Sequence, residues 1–319
     1  MTLAFVLGAG INDGLSTGQG LYDHSPGVRQ FYADVAEWTG FTLDQVLTEP
    51  MPERPHQLRW SLGEIRHAAL LIALHDVLAE SGIHPTAVSG MSLGALVGSC
   101  LAGAITREEF FRMRARTREI PERPPGLAEE GLAMWMAPDT IDVRAVLAGQ
   151  PDVFPAVAYG RTADGSSQLT ILSGHRSALD AFAANLPPDQ VQQIENRPFA
   201  AHSPLRSYIM DVMGPVIEAA EFHDPQLPLY SCLEPRRLRT GAEVQDLFLR
   251  NTVEPVSFVD LCSAMAEQDI TLALALGQFM PAGFLEMPFP MLNVRDLDDV
   301  DEARSAIGAL GLDVAARGA

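Results

Sequence analysis

The chain has 319 residues, 47% of them hydrophobic, with a formal net charge of −19. That is ample for a sizeable core and sits at the upper edge for one domain, so one large unit with a smaller insertion is expected. The charge argues against nucleic acid and against anionic membrane surfaces as partners.

The first element is the apolar run at residues 3–8, LAFVLG, read as a buried strand feeding a glycine-rich loop with Gly8, Gly10 and Gly14. The N-terminus has no basic stretch before that run, so it does not read as a signal peptide. The loop lacks the third glycine of a dinucleotide fingerprint. Residues 61–81 carry apolar side chains at three- and four-residue spacing and predict a long helix ending at Gly82. A short strand follows at 85–89, then a helix of small apolar residues at 93–104. Residues 119–130, rich in proline and acids, read as a linker. Beyond it the order strand, helix, strand, strand, helix, strand is the ferredoxin-like pattern, placed at 126–197. The return predicts a helix at 205–220, a strand at 227–232, helices at 242–249 and 256–266, a strand at 270–276 and a helix near 301–310. Alternating strands and helices imply a mostly parallel sheet covered on both faces. The expected fold is α/β, with an α/β-hydrolase-like large subdomain at 1–125 and 198–319 and the ferredoxin-like subdomain at 126–197.

No apolar run approaches the ~18 residues that span a bilayer. Cys100, Cys232 and Cys262 are odd in number and widely spaced, which is neither a disulfide framework nor a zinc pattern and suits the cytoplasm. All basic residues are arginine. They cluster at Arg107–Arg118 and at Arg236, Arg237 and Arg239, where a basic patch could dock an acidic partner or simply be a solvated face.

The chemistry-bearing motif is Gly90-Met91-Ser92-Leu93-Gly94, a G-x-S-x-G between a predicted strand and a predicted helix. Such a turn lifts a serine hydroxyl clear of the sheet at a helix N-terminus, where free amides stabilise an anion. The amide of Leu93 can then donate into an oxyanion hole. A serine nucleophile needs a base. Of the eight histidines, His202 is the candidate by elimination, in an AHSPL segment at the predicted subdomain junction.

With these motifs in order, the chain resembles malonyl-CoA:acyl-carrier-protein transacylases and the acyltransferase domains of polyketide synthases, over about residues 3–290. The resemblance lies in VSGMSLGALVGSCLAGA, in PFAAHSPL at 198–205, in FHDPQLPLYSC at 222–232 and in LRNTVEPVSFVD at 249–260. It implies a ping-pong acyltransferase with Ser92 as nucleophile and His202 as base. The acyl group would travel as a thioester of coenzyme A or of the phosphopantetheine arm of an acyl carrier protein, with no permanently bound cofactor. It implies that Asn251 and the carbonyl of Phe248 orient the histidine. Asn12 would contribute to the oxyanion hole in place of the usual glutamine, and Met91, Phe199 and Ala201 would face the substrate. The arginine that pairs with a malonyl carboxylate falls at Thr117 without gaps and at Arg116 with a one-residue deletion. These departures favour a non-malonyl, aminoacyl-type group, with malonyl transfer proper, a proofreading acyl hydrolase and a non-catalytic relative as the alternatives. Arg206, Arg236 and Arg237 are the expected docking residues for an acidic carrier.

Overall fold

The computed structural model describes residues 2–9, 15–53, 55–123, 126–195 and 198–311. Strand β1 (Thr2–Leu7) is buried from Leu3 to Leu7 without alternation, as expected of a parallel strand covered on both faces. Helices α1 (Leu15–His24), α2 (Pro26–Thr39) and α3 (Leu43–Leu47) follow. None of the three was predicted from the sequence, because their glycines and polar residues blur the apolar period. Their ends are nonetheless encoded: Ser25 accepts from the amides of Gly27 and Val28, and Gly40 closes α2 at φ 70°. Helix α4 (His56–Glu80) begins five residues before the predicted start and is buried around most of its circumference. Strand β2 (Ala87–Gly90) lies parallel to β1 and leads through Ser92 into α5 (Leu93–Leu101). Helix α6 (Arg107–Ala115) runs into a single 3-10 turn at Arg116–Glu119.

The second layer comprises β3 (Glu130–Pro138), α7 (Val143–Ala148), β4 (Val153–Arg161), β5 (Ser167–His175), α8 (Arg176–Ala184) and β6 (Val191–Ile194). These strands lie in the order β6-β3-β5-β4, with antiparallel neighbours, which is the ferredoxin-like arrangement. Their helices cover a separate small core around Trp135, Leu172, Leu179 and Phe182.

The chain returns through a 3-10 turn (Pro204–Ile209) and α9 (Met210–Ala219). It continues through β7 (Leu229–Tyr230), β8 (Arg237–Leu238), α10 (Gly241–Arg250), β9 (Val256–Ser257) and α11 (Phe258–Ala266). Strands β10 (Ile270–Leu276) and β11 (Met291–Val294) and helix α12 (Leu297–Ala309) complete it. The main sheet runs β11-β10-β1-β2-β7-β8, parallel except for β8. Two expectations are corrected. The helix predicted at 205–220 is 3-10 up to Ile209. The helix predicted at 256–266 gives its first two residues to β9, which joins the ferredoxin-like sheet beside β4 and so ties the two layers together. No helix among the described residues is long and apolar enough to cross a membrane.

Candidate active site

Strand β2 ends at Gly90, at the carboxyl edge of the main sheet, where open α/β sheets place their ligands. The turn that follows is tight. A Cβ on Gly90 would lie 2.3 Å from the carbonyl carbon of Gly94, and one on Gly94 would lie 2.2 Å from the carbonyl oxygen of Leu7. Only glycine fits at either position. Ser92 takes φ 54°, ψ −120° and stands as N-cap of α5. The amide of Leu93, first in the helix, has no acceptor within it, and the residue lines the same cleft as Ser92.

His202 comes from the opposite wall. Its segment is pinned by the carboxylate of Glu130, which accepts from the Ala200 amide at 3.0 Å. Ser203 Oγ donates to the Ala200 carbonyl at 2.7 Å, and the Arg206 amide donates to the Ser203 carbonyl at 3.0 Å. The resulting turn holds His202 at φ 54° and sets its Nε2 2.9 Å from Ser92 Oγ. Burial pushes the imidazole down to about pKa 4; the backbone carbonyls of Asn251 and Glu254 oppose that shift and the charge of Arg206 adds to it. Nδ1 is buried without a hydrogen bond of ordinary geometry, so those carbonyls act from slightly outside it. The imidazole is therefore neutral at physiological pH, the form that can accept a proton from a neighbouring hydroxyl.

The cleft in front of the pair is walled by Trp60, Leu96, Ile120, Phe199, Ala201 and Ile209, with Glu64, Arg114, Thr117, Arg206, Asn251 and Thr252 as its polar lining. Its cavity measures about 70 Å³. Glu64 Oε2 and Arg114 Nη2 are 2.5 Å apart and both side chains are buried. Glu64 is thereby committed to Arg114, which leaves Arg206 as the charged residue of the lining without a carboxylate of its own, Glu130 and Glu64 favouring its charge only from a distance. Arg206 Nη1 donates to the Tyr208 hydroxyl at 2.7 Å, and its guanidinium carbon lies 5.9, 5.4 and 5.3 Å from the ring centroids of Trp60, Phe199 and Tyr208. Among the described residues no carboxylate lies within ion-pair distance of it.

The structure brings together Ser92, His202, Leu93, Phe199, Ala201 and Asn251 as the sequence predicted. Asn12 lies outside the described residues. Other expected site residues are placed elsewhere. Arg116 does not point inward: its side chain is half exposed and pairs with Glu119 at 2.6 Å, because the helix has already tightened into its 3-10 turn there. Thr117 is the buried neighbour in the cleft. Met91 is fully buried in the large core behind the turn, since neighbours across an extended turn point to opposite sides. Phe248 packs its ring against Phe222 and Phe110; the carbonyls acting on His202 lie past the end of α10, where the helical ladder no longer occupies them. Arg206 is buried in the cleft instead of standing at its rim. Arg236 is neutralised by Glu234 and Glu243, both at 2.7 Å, and Arg237 is half-buried on β8. Sequence reasoning missed Trp60 and Glu64 on α4, and it read Arg114 as part of a basic patch for an acidic partner, whereas Arg114 is buried against Glu64 in the cleft.

No known family profile matches the chain. It is 26% identical over 248 residues to 5-methyl-1-naphthoate synthase of Streptomyces sahachiroi, covering 70% of this chain and 13% of that protein. It is 27% identical over 297 residues to polyketide synthase GfsE of Streptomyces halstedii, covering 88% of this chain and 7% of that protein. The chain thus spans only a small part of the length of these relatives. In structure it is similar to the malonyl-transacylase solved in complex with a type II polyketide synthase acyl-carrier protein, at TM-score 0.76 and 19% identity, covering 96% of this chain and all of that one. The fold is that of malonyl transacylases, as the sequence resemblance implied.

Proposed function

We propose that this chain is an acyltransferase of polyketide biosynthesis that carries an acyl group as an ester of Ser92 and delivers it to the phosphopantetheine thiol of an acyl carrier protein. The observation that carries the reading is the 2.9 Å contact between Ser92 Oγ and a neutral, buried His202 at the N-terminus of α5. The similarity to polyketide synthase segments and to a carrier-bound transacylase supports the partner. Three buried, unpaired cysteines suit a reducing cytoplasm.

In the first half-reaction Ser92 Oγ attacks the thioester carbonyl while its proton passes to His202 Nε2. The tetrahedral oxyanion forms within reach of the Leu93 amide and the positive end of α5. Its collapse breaks the C–S bond, and the departing sulfur takes the proton from His202. The second half-reaction runs the same steps in reverse: the carrier thiol gives its proton to His202, attacks the ester carbonyl and releases Ser92. Coenzyme A and carrier thioesters can both enter such a cycle.

The cleft supports a short, negatively charged acyl group. A cavity of about 70 Å³ has room for only about five waters, and its lining carries one arginine without a paired carboxylate. An aminoacyl group, the reading favoured by the sequence departures, would bring its ammonium against Arg206.

Intact-mass spectrometry tests the reading. After incubation with malonyl-CoA, the wild-type chain should gain one acyl mass, and added carrier protein should take it up. Acyl loss to water in the presence of carrier, with no acylated carrier formed, would replace the transferase by a hydrolase.

A further inference from the structure

The segment that supplies the base also supplies the cation of the cleft. His202 and Arg206 are four residues apart on one turn, fixed by the Arg206 amide to Ser203 carbonyl bond, and both line the cavity in front of Ser92. Resting on the reading of this cavity as the acyl site, we propose that Arg206 is its specificity-determining residue: the guanidinium, boxed by Trp60, Phe199 and Tyr208, takes the carboxylate of the acyl group carried on Ser92.

The other arginines nearby are already engaged. Arg116 is out in solvent with Glu119. Thr117 fills the inward position, and its hydroxyl donates to the Arg114 carbonyl at 2.7 Å. Arg114 is tied to Glu64. Arg206 differs from all of these. One nitrogen donates to a neutral phenol, and its Nε and Nη2 make no hydrogen bond to a described residue. A buried guanidinium without a carboxylate is costly to maintain, and desolvation lowers its pKa accordingly. Unpartnered donors on a residue that lines the cavity match the two oxygens of a carboxylate. The surrounding rings favour the cation and restrict its plane, so less freedom is lost when the carboxylate binds.

The position has a second consequence. The charge of Arg206 disfavours protonation of His202, alongside burial and against the carbonyls of Asn251 and Glu254. Of the other charged groups nearby, Glu64 is paired with Arg114, and Glu130 behind Ala200 with Arg123 at 2.9 Å, so the two carboxylates favour the Arg206 charge only from a distance. A carboxylate docked on Arg206 therefore offsets the positive charge that disfavours protonation of His202. Anchor and base are coupled: a loaded acyl group makes His202 a stronger base for the incoming thiol.

The test measures kcat/KM for acylation of Ser92 with malonyl-CoA and with acetyl-CoA, in wild type, Arg206→Met and Arg206→Lys. Losing a charge-assisted pair should lower the malonyl-to-acetyl preference by about 10–100-fold in Arg206→Met. Arg206→Lys keeps the charge but not the fork, so a smaller drop in the same ratio is expected. In Arg206→Met the acidic limb of the acetyl-CoA profile should also move to higher pH, while in Arg206→Lys, which keeps the charge, it should stay near the wild-type position; a limb that moves equally in both variants reports wetting of His202 and not loss of charge. An unchanged ratio in Arg206→Met overturns the proposal. If that variant does not fold, an unchanged ratio in Arg206→Lys does so. A limb that stays put overturns the coupling. Wild-type acylation by acetyl-CoA alone refutes the carboxylate assignment and leaves the transferase standing, whereas acylation of Ser92 by neither donor refutes the acyl site itself.

Discussion

Ser92 Oγ lies 2.9 Å from Nε2 of His202, and both residues hold their backbones at φ 54°. Two non-glycine residues in the left-handed region, facing each other across a cleft, represent about 1–3 kcal/mol of strain each. The surroundings impose it: one turn is locked by the close approach of Gly94 to Leu7, the other by Glu130 and Ser203. Ser92→Ala should remove the acyl adduct in intact-mass analysis without unfolding the chain. Ser92→Gly should be equally inactive but melt at a higher temperature than Ser92→Ala, because glycine accepts this φ. His202→Ala should slow acylation by roughly 10²–10⁴-fold. An adduct still forming on Ser92→Ala, or a mild His202→Ala, would reject the pair.

The second expectation concerns pH. Burial lowers both His202 and His67, whose Nε2 donates to the Gly8 carbonyl at 3.0 Å, to about pKa 4 from an ordinary 6.5. The acidic limb of wild-type acylation by acetyl-CoA should therefore fall near pH 4, with a flat profile above about pH 5. Stability follows the same window. Above pH 6.5 both histidines are neutral folded and unfolded, so they contribute no pH dependence. Between 6.5 and 4 only the unfolded chain takes up their protons, and stability falls as pH falls, by up to roughly 3 kcal/mol per histidine. Urea midpoints at pH 7 and pH 5 would check this, with His67→Gln reducing the difference. A kinetic limb near 6.5 would show that His202 is wetter than its burial indicates.

A third expectation concerns the ion pair behind the substrate. Glu64 and Arg114 are both buried, so removing one strands the other in a medium of low dielectric. Glu64→Ala should destabilise the chain by about 3–5 kcal/mol. Replacing the two together, as Glu64→Leu with Arg114→Met, should cost much less, because no charge remains to desolvate. Equal losses in the single and double variants would mean that packing and not charge holds the two helices together.

The legible part of this molecule was the part written in short-range pattern. The G-x-S-x-G turn needs glycines on both sides of its serine, and the ferredoxin-like order is written in alternating apolar runs. Ser92, His202 and the four strands of β3 to β6 could therefore be placed from residues alone. What stayed hidden depended on which way a helix face turns. Arg114, Arg116 and Thr117 lie within four positions, and a shift of one residue exchanges inside for outside. The 3-10 turn at Arg116–Glu119 sets that choice. The sequence likewise offered no means to tell that Arg206 folds back over Phe199 instead of facing solvent, since a buried arginine is identified by the rings it meets and not by its neighbours in the chain.

Behind Ser92, Cys232 links the two walls of the cleft. Its Sγ lies 3.7 Å from Asn251 Oδ1, and the backbone amide of Ser92 favours negative charge on the same sulfur. Burial outweighs that influence and pushes the thiol up to about 12, so it stays protonated. A protonated thiol can donate to Asn251 while accepting from the Ser92 amide. Asn251 in turn presents its carbonyl to His202. The sulfur is thus a wedge between the strained turn of Ser92 and the backbone that faces His202. Its part is positioning, since it touches neither the substrate nor the proton in transit. Cys232→Ala removes the bridge, and the loss of one or two such hydrogen bonds should lower kcat by about 2–10-fold while KM stays nearly constant. Cys232→Ser offers the same donor and acceptor on a smaller atom and should recover most of that loss. Iodoacetamide should leave the folded enzyme active, because neither exposure nor a thiolate is available. If Cys232→Ala and Cys232→Ser lower stability alike while kcat is untouched in both, the cysteine is a packing residue and the turn holds its shape without it.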